Sequence, residues 1–333
     1  MSSELQKFNL VDGQKKNSII SQISSWLIKH PEVNPYKFTW DGFSRKITSR
    51  FRMLPSFLII GGAKCGTTSL YAHMIEHPNI LPASIKEVNF FQHIRNTKIA
   101  FYSSHFPIKR QNLITGEAST AYFIHRLVPK RVHELLPSVK LILLLRDPVE
   151  RAYSEFHYMV NLGAQITDNF EDAIKAELKR IKIENEKPEF TIENTSYNYF
   201  QPTFSYLRHG IYANYILNWL KLFPKEQLLI LHTKDLYNNL DNILAKTFEF
   251  LNLPKYQIES RIEKNKIDKV RPIGGHEHNI YKNIDSKTRT LFNVQNYPEM
   301  KSETRKFLQD FFRSHNEKLF EMIGRRFDWN DEK

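Results

Sequence analysis

The chain has 333 residues, 41% of them hydrophobic and 25% charged, which is enough apolar material for a sizeable core and too much for a disordered chain. Forty-eight basic against 36 acidic residues leave a net charge of +12, which suits an anionic partner, and the single cysteine excludes a disulfide scaffold. No apolar run approaches membrane-spanning length and no secretory signal pattern heads the sequence, so the expectation is a soluble, cytoplasmic protein without stable membrane insertion.

Residues 1–50 read as an appended segment of unknown role, outside a main domain at 51–333. It carries an amphipathic stretch from Ile19 to Ile28 and then a run with Pro31, Pro35, Tyr36, Phe38 and Trp40. A strand is predicted at 57–61, and Gly61-Gly62-Ala63-Lys64-Cys65-Gly66-Thr67-Thr68-Ser69 turns out of it into a helix. Gly61 and Gly66 keep the spacing of a Walker A loop, G-x-x-x-x-G-K-[ST], but Thr67 stands where the lysine belongs. The loop's only cation, Lys64, lies two residues before the second glycine, in the bend itself. Backbone N–H groups at a helix start still favour an anion, and nothing marks a magnesium site. The segment taken alone is equally a strand-to-helix turn without a ligand.

Lys86-Glu87-Val88-Asn89-Phe90-Phe91 sets an acid before an aromatic pair that should bury and fix the segment. By residue type alone, Glu87 is an ordinary exposed acid beside Lys86. Further strands are predicted at 112–116, 140–145 and 227–231, alternating with helical patterns, which is the signature of a parallel sheet with helices on both faces. Arg146 stands at the carboxyl end of 140–145. Asp147, Pro148 and Glu150 then read as N-cap, first helical residue and capping-box partner, so a helix follows at once. On that helix Val149, Tyr153, Phe156 and Val160 have core spacing, while Arg151, Ser154 and Tyr158 form a polar stripe that would leave Ser154 facing a ligand. In open α/β sheets ligands collect beyond the carboxyl ends of the strands, where the loop and Arg146 would meet. Either residue could instead serve structure alone, Arg146 in an ion pair and Ser154 as a solvated helix position.

Residues 163–203 interrupt the alternation with a charged helix at about 170–182 and a polar, Tyr-rich stretch from Asn194 to Phe200, a natural place for ligand selectivity. Arg208-His209-Gly210 forms a basic turn before a helix at 212–223 (Tyr212, Ile216, Trp219, Leu220, Phe223). A second helix is predicted at 236–251 (Leu236, Leu240, Ile243, Leu244, Phe248, Leu251). Lys264, Lys266, Lys269, Arg271, Lys282, Lys287 and Arg289 form a basic cluster that could line a groove for an anionic ligand. His276, Glu277 and His278 lack a helical metal signature, and no metal is expected.

The segments 62–70 and 145–154 resemble the two nucleotide-binding motifs of sulfotransferases that use 3′-phosphoadenosine 5′-phosphosulfate. Residues 86–91, 116–123 and 297–319 are similar to the heparan sulfate branch of that family and its bacterial relatives, so the likeness covers about 55–329. The resemblance implies a P-loop NTPase-like sulfotransferase fold and a nucleotide sulfate donor as co-substrate. It implies that Lys64, Cys65, Gly66, Thr67, Thr68 and Ser69 hold the 5′-phosphosulfate, that Arg146 and Ser154 hold the 3′-phosphate, and that Arg208 lies near the nucleotide. Glu87 matches the family's catalytic base, with Lys64 on the leaving side. The acceptor would be a hydroxyl, with an amine as the lesser alternative, of a carbohydrate or small molecule.

The chemistry fits those residue types. Sulfuryl transfer needs in-line positioning and a cation where charge grows on the leaving phosphate. A sugar hydroxyl also needs a carboxylate to take its proton. Departures from the family pattern remain. Asn293-Val294-Gln295-Asn296 replaces a basic, Gly-containing lid, and Ala118 replaces a lysine expected near a sulfated polymer, which argues against heparan itself. The lone cysteine, Cys65, also sets the chain apart from Golgi-anchored animal enzymes with a disulfide, and it reads as a filler of the loop. Two other classes stay open. A P-loop NTPase or phosphotransferase is disfavoured by Thr67, and a basic nucleic-acid-binding module lacks any reading motif, so no nucleic-acid partner is expected.

Overall fold

The structure, a computed structural model, describes residues 45–92, 99–161, 165, 167–185, 205–257 and 297–329. Most of residues 1–50, the stretch 194–200, the basic cluster at 264–289, the trio 276–278 and the lid positions 293–296 lie outside the described residues.

Five strands, β1 (Phe57–Gly61), β2 (Ile80–Pro82), β3 (Ile114–Ala118), β4 (Lys140–Leu145) and β5 (Leu228–His232), form one sheet in the order β2-β3-β1-β4-β5. Every pairing is parallel, with Leu58 opposite Glu117 and Leu141 on the two sides. Strand periodicity sorts the side chains. Leu58, Ile60, Leu141, Leu143 and Leu145 join a core with Val128, Val132, Tyr212, Ile216, Trp219, Leu319 and Phe320 on one face. Phe57, Ile59, Ile142 and Leu144 join Leu70, Met74, Leu236, Ile243, Leu244 and Phe248 on the other. Both faces are therefore covered by helices, as the continuous apolar runs of β1 and β4 require. Each fully buried Leu, Ile or Phe contributes roughly 1.5–3 kcal/mol.

The helices are α1 (Thr67–Met74), α2 (Ile99–Ser103), α3 (Val128–Leu135), α4 (Pro148–Asn161), α5 (Phe170–Asn185), α6 (Tyr212–Leu220), α7 (Thr233–Asn238), α8 (Leu240–Phe250) and α9 (Ser302–Ile323). A third apolar cluster, with Phe156, Phe170, Tyr206, Leu308 and Phe312, joins α4, α5 and α9 beside the sheet.

The structure moves several expected boundaries. β3 begins two residues later than the strand predicted at 112–116, because Asn112 takes a left-handed φ of 60° and turns the chain. The helix expected at 236–251 is two helices, since Asn239 leaves helical geometry and its side chain accepts the N–H of Asn242 to cap α8. The helix expected at 212–223 ends at Leu220, with Phe223 still buried. β2, three residues at the sheet edge, was not predicted.

Candidate active site

The loop at 62–66 leaves the carboxyl end of β1 beside β4, where the strand order switches from the β2-β3 side to the β4-β5 side. Gly66 has φ 91°, open to glycine and costly for any other residue, and α1 starts at once. At Gly61 a β-carbon would stand 2.7 Å from Cβ of Phe123, so a side chain there would push the loop off the sheet. Gly62 N–H donates to the Leu144 carbonyl at 2.8 Å. Thr233 Oγ1, on α7, lies 2.7 Å from the carbonyl of Cys65 and 3.0 Å from that of Leu145. The loop is thus tied to the ends of β4 and β5.

Lys64 sits in the bend with a left-handed φ of 63° and its Nζ 4.2 Å from the centre of the Tyr158 ring. Burial, and after it the charge of Arg146, lowers its pKa to about 8. Arg146, at the end of β4, donates from Nη1 to the Lys64 carbonyl at 3.3 Å. The charge of Arg146 is thus felt at Lys64, and among the described residues no ion pair joins Lys64 to a carboxylate. Thr67 is buried, Thr68 exposed and Ser69 half-buried at the start of α1. Cys65 is fully buried and burial pushes its thiol pKa up, so the loop can present its backbone here but not its sulfur.

Asp147 caps α4 as expected, accepting the Val149 N–H at 2.8 Å. Glu150 does not complete the expected capping box with its side chain. Its carboxylate accepts from Arg305 of α9 at 2.6 Å and lies 3.8 Å from Arg146 Nη2. The expected polar stripe is also corrected. Arg151 is buried, with its guanidinium bonded to Glu155 and to the Tyr206 carbonyl, and Glu155 also meets His209 Nδ1 at 3.3 Å. Burial alone would raise Glu155, but Arg151 and then His209 outweigh it and hold its pKa at about 2. This cluster fastens α4 to the turn 208–210 and is structural. Ser154, nearly buried, lies one turn from Tyr158 and so on the side of α4 that meets Lys64. Arg208 sits in that same turn, where Glu177 of α5 accepts its backbone N–H at 3.0 Å.

Glu87 lies beside the loop through a chain of contacts. It has φ 59°, and its N–H donates to the Ala118 carbonyl at 2.9 Å. Its carboxylate accepts the Thr120 N–H at 2.9 Å and pairs with Lys86. The Thr120 carbonyl in turn stands 3.1 Å from where a Gly61 β-carbon would be. Phe90 and Phe91 are buried, as expected for a fixed segment. Sequence reasoning missed Thr233, Thr120 and the buried Glu117, which lies one residue past the strand expected at 112–116. No group of three or more possible metal ligands occurs among the described residues.

Fold and site together define a class: a parallel-sheet protein of the P-loop type whose loop carries its cation in the bend and is bonded by an arginine from the end of the neighbouring strand. A model of the sulfotransferase domain matches residues 54–322, and the chain belongs to that family. It is 29% identical over 283 residues to human bifunctional heparan sulfate N-deacetylase/N-sulfotransferase 2, covering 82% of this chain and 30% of that one. It is 26% identical to human heparan sulfate glucosamine 3-O-sulfotransferase 3B1, covering 84% and 66%. Among solved structures, a sulfotransferase from Alicyclobacillus acidocaldarius superposes with a TM-score of 0.61 at 22% identity, covering 84% of this chain and all of that one, a likeness of fold. The chain spans under half the length of several curated relatives, 30% of the human N-deacetylase/N-sulfotransferase and 45% of mouse carbohydrate sulfotransferase 15. No helix among the described residues is long and apolar enough to cross a membrane.

Proposed function

We propose that the chain transfers the sulfuryl group of 3′-phosphoadenosine 5′-phosphosulfate to a hydroxyl of a carbohydrate or related acceptor. The observation that carries this reading is the bond from Arg146 Nη1 to the Lys64 backbone carbonyl at 3.3 Å, which holds Arg146 against the loop at the start of α1, where an anion would find two cations and free backbone N–H groups. The loop from Lys64 to Ser69 would take the 5′-phosphosulfate, and Arg146 with Ser154 the 3′-phosphate, with Arg208 nearby. The acceptor oxygen forms its bond to sulfur as the bond from sulfur to the 5′-phosphate oxygen breaks, and that electron pair leaves on adenosine 3′,5′-bisphosphate. The acceptor proton passes to Glu87, while Lys64 offsets the charge that grows on the leaving phosphate.

Support for a carbohydrate acceptor comes from relatives whose names specify heparan sulfate and carbohydrate. The absent lysine at Ala118 turns the reading away from heparan itself, and the lone cysteine fits a cytoplasmic enzyme. A mass-spectrometric screen tests it. The purified chain is incubated with the donor and a panel of unsulfated glycans and simple alcohols. An added sulfate on a glycan supports the reading, addition to alcohols alone would move the acceptor class, and donor left intact throughout would overturn it.

A further inference from the structure

Glu117 is fully buried on β3, between β2 and β1, and among the described residues no basic side chain pairs with it. Its partners are three hydroxyls. Tyr102 donates to Oε1 at 2.6 Å, Tyr122 to Oε1 at 3.1 Å and Ser119 to Oε2 at 2.6 Å. A buried acid without a counter-charge is expensive, and an apolar residue on a central strand would be cheaper.

What these hydroxyls do next gives the acid a role. With its proton committed to Glu117, Ser119 Oγ accepts the N–H of Asn89 at 3.1 Å, and Tyr122 Oη accepts that of Phe91 at 3.5 Å. Tyr102 stacks on Phe90 with ring centres 4.4 Å apart, and Phe91 meets both Tyr102 and Tyr122 edge-on. Each of the three hydroxyl partners of the acid thus reaches residues 89–91, just after Glu87, and Tyr102 also meets Phe106. That segment needs holding, since Glu87 and Asn89 both adopt the left-handed region, at φ 59° and 53°, where residues other than glycine are strained.

We propose that Glu117 is a positioning residue, which orients the Ser119, Tyr102 and Tyr122 hydroxyls so that they fix the strained turn carrying Glu87. The proposal rests on the reading of Glu87 as base. Burial pushes Glu117 up to about 7 despite its three hydrogen bonds, and the nearby Glu87 adds to the rise.

Two readouts test it, on the full chain saturated with adenosine 3′,5′-bisphosphate and on the same chain turning over the sulfate donor with water as acceptor. Ser119→Ala and Glu117→Gln keep the core volume, and Glu117→Leu removes the acceptor altogether. Thr247→Val, a buried hydroxyl deletion on α8, is the control. Amide exchange of residues 86–92 should rise at least tenfold in Ser119→Ala and Glu117→Leu, and less in Glu117→Gln, while 140–145 stays protected. The control should change neither. Bisphosphate release from the donor should fall at least tenfold in Glu117→Leu, and no further when Glu117→Leu is added to Glu87→Gln. Unchanged exchange at 86–92, or equal loosening of 140–145, would overturn the proposal. So would a further fall in the Glu87→Gln background. If Glu87→Gln alone left release unchanged while Glu117→Leu loosened 86–92, the reading of Glu87 would fail and the positioning of its segment would stand.

Discussion

Lys64 is a side chain whose charge changes close to neutral pH. Its pKa of about 8 arises mainly from burial and then from Arg146, and a bound anion favours its protonated form. Affinity for adenosine 3′,5′-bisphosphate should therefore be full below pH 8 and decline as pH rises through that value, which titrations from pH 6.5 to 9.5 would follow. A flat profile would mean that Lys64 does not meet the phosphate. Glu87 answers to a different measurement. Glu87→Gln keeps its size but cannot take a proton, so sulfuryl transfer should drop by about 10²–10⁴. The melting temperature should stay close to that of the parent, because the partly exposed pair with Lys86 is worth at most about 1 kcal/mol. A destabilised protein with undiminished rate per folded molecule would make Glu87 structural. The type and spacing of residues 61–69 were enough to find this loop, but not its ties: Thr233 and Thr120 reach it from distant elements, and no local pattern announces such contacts.

At the scale of elements, the start of α4 brings Arg146 and Ser154 toward the loop, while Arg151 and Glu155 face inward. Arg146→Ala and Ser154→Ala should each weaken binding of adenosine 3′,5′-bisphosphate by more than that of adenosine 5′-phosphate, because charge-assisted bonds to the 3′-phosphate are lost selectively. Competitive titration of both nucleotides would show it, and equal losses would remove the 3′-phosphate from this pair. β1 and β4 were legible at their observed bounds, since continuous apolar runs bounded by polar residues have few other uses in a parallel sheet. The polar face of α4 was misread for a physical reason. Periodicity places Arg151, Ser154 and Tyr158 on one side but cannot tell solvent from a buried partner, and Glu155 with the Tyr206 carbonyl supplies that partner. Asn112 and Asn239 moved element ends by backbone conformation, which a hydrophobic pattern does not register.

For the whole molecule, the raised pKa of Glu117 makes one contribution to stability against pH, opposite in sign to that of Glu155. Glu117 at about 7 lies above the ordinary value for a glutamate, so the folded state holds a proton that the unfolded chain has already released. Its contribution is greatest below about pH 4.5 and is lost as pH rises to about 7, with a slope of at most about 1.4 kcal/mol per pH unit. Glu117→Gln should flatten the decline in urea stability between pH 5 and 7.5, whereas an unaltered slope would assign that decline to other groups. The parallel sheet and the cover on both faces followed from alternation of strands and helices, whereas the strand order, with the short β2 at its edge, did not. The expected acceptor-side insertion at 163–203 lies partly outside the described residues. The central claim is that the loop and Arg146 form a binding place for a 3′-phosphorylated adenosine nucleotide rather than for a magnesium nucleotide. Calorimetric titration without magnesium tests it most directly: adenosine 3′,5′-bisphosphate should bind at least tenfold more tightly than adenosine 5′-phosphate and gain nothing from added magnesium. Tight binding of ATP that requires magnesium, with no response to the bisphosphate, would contradict it.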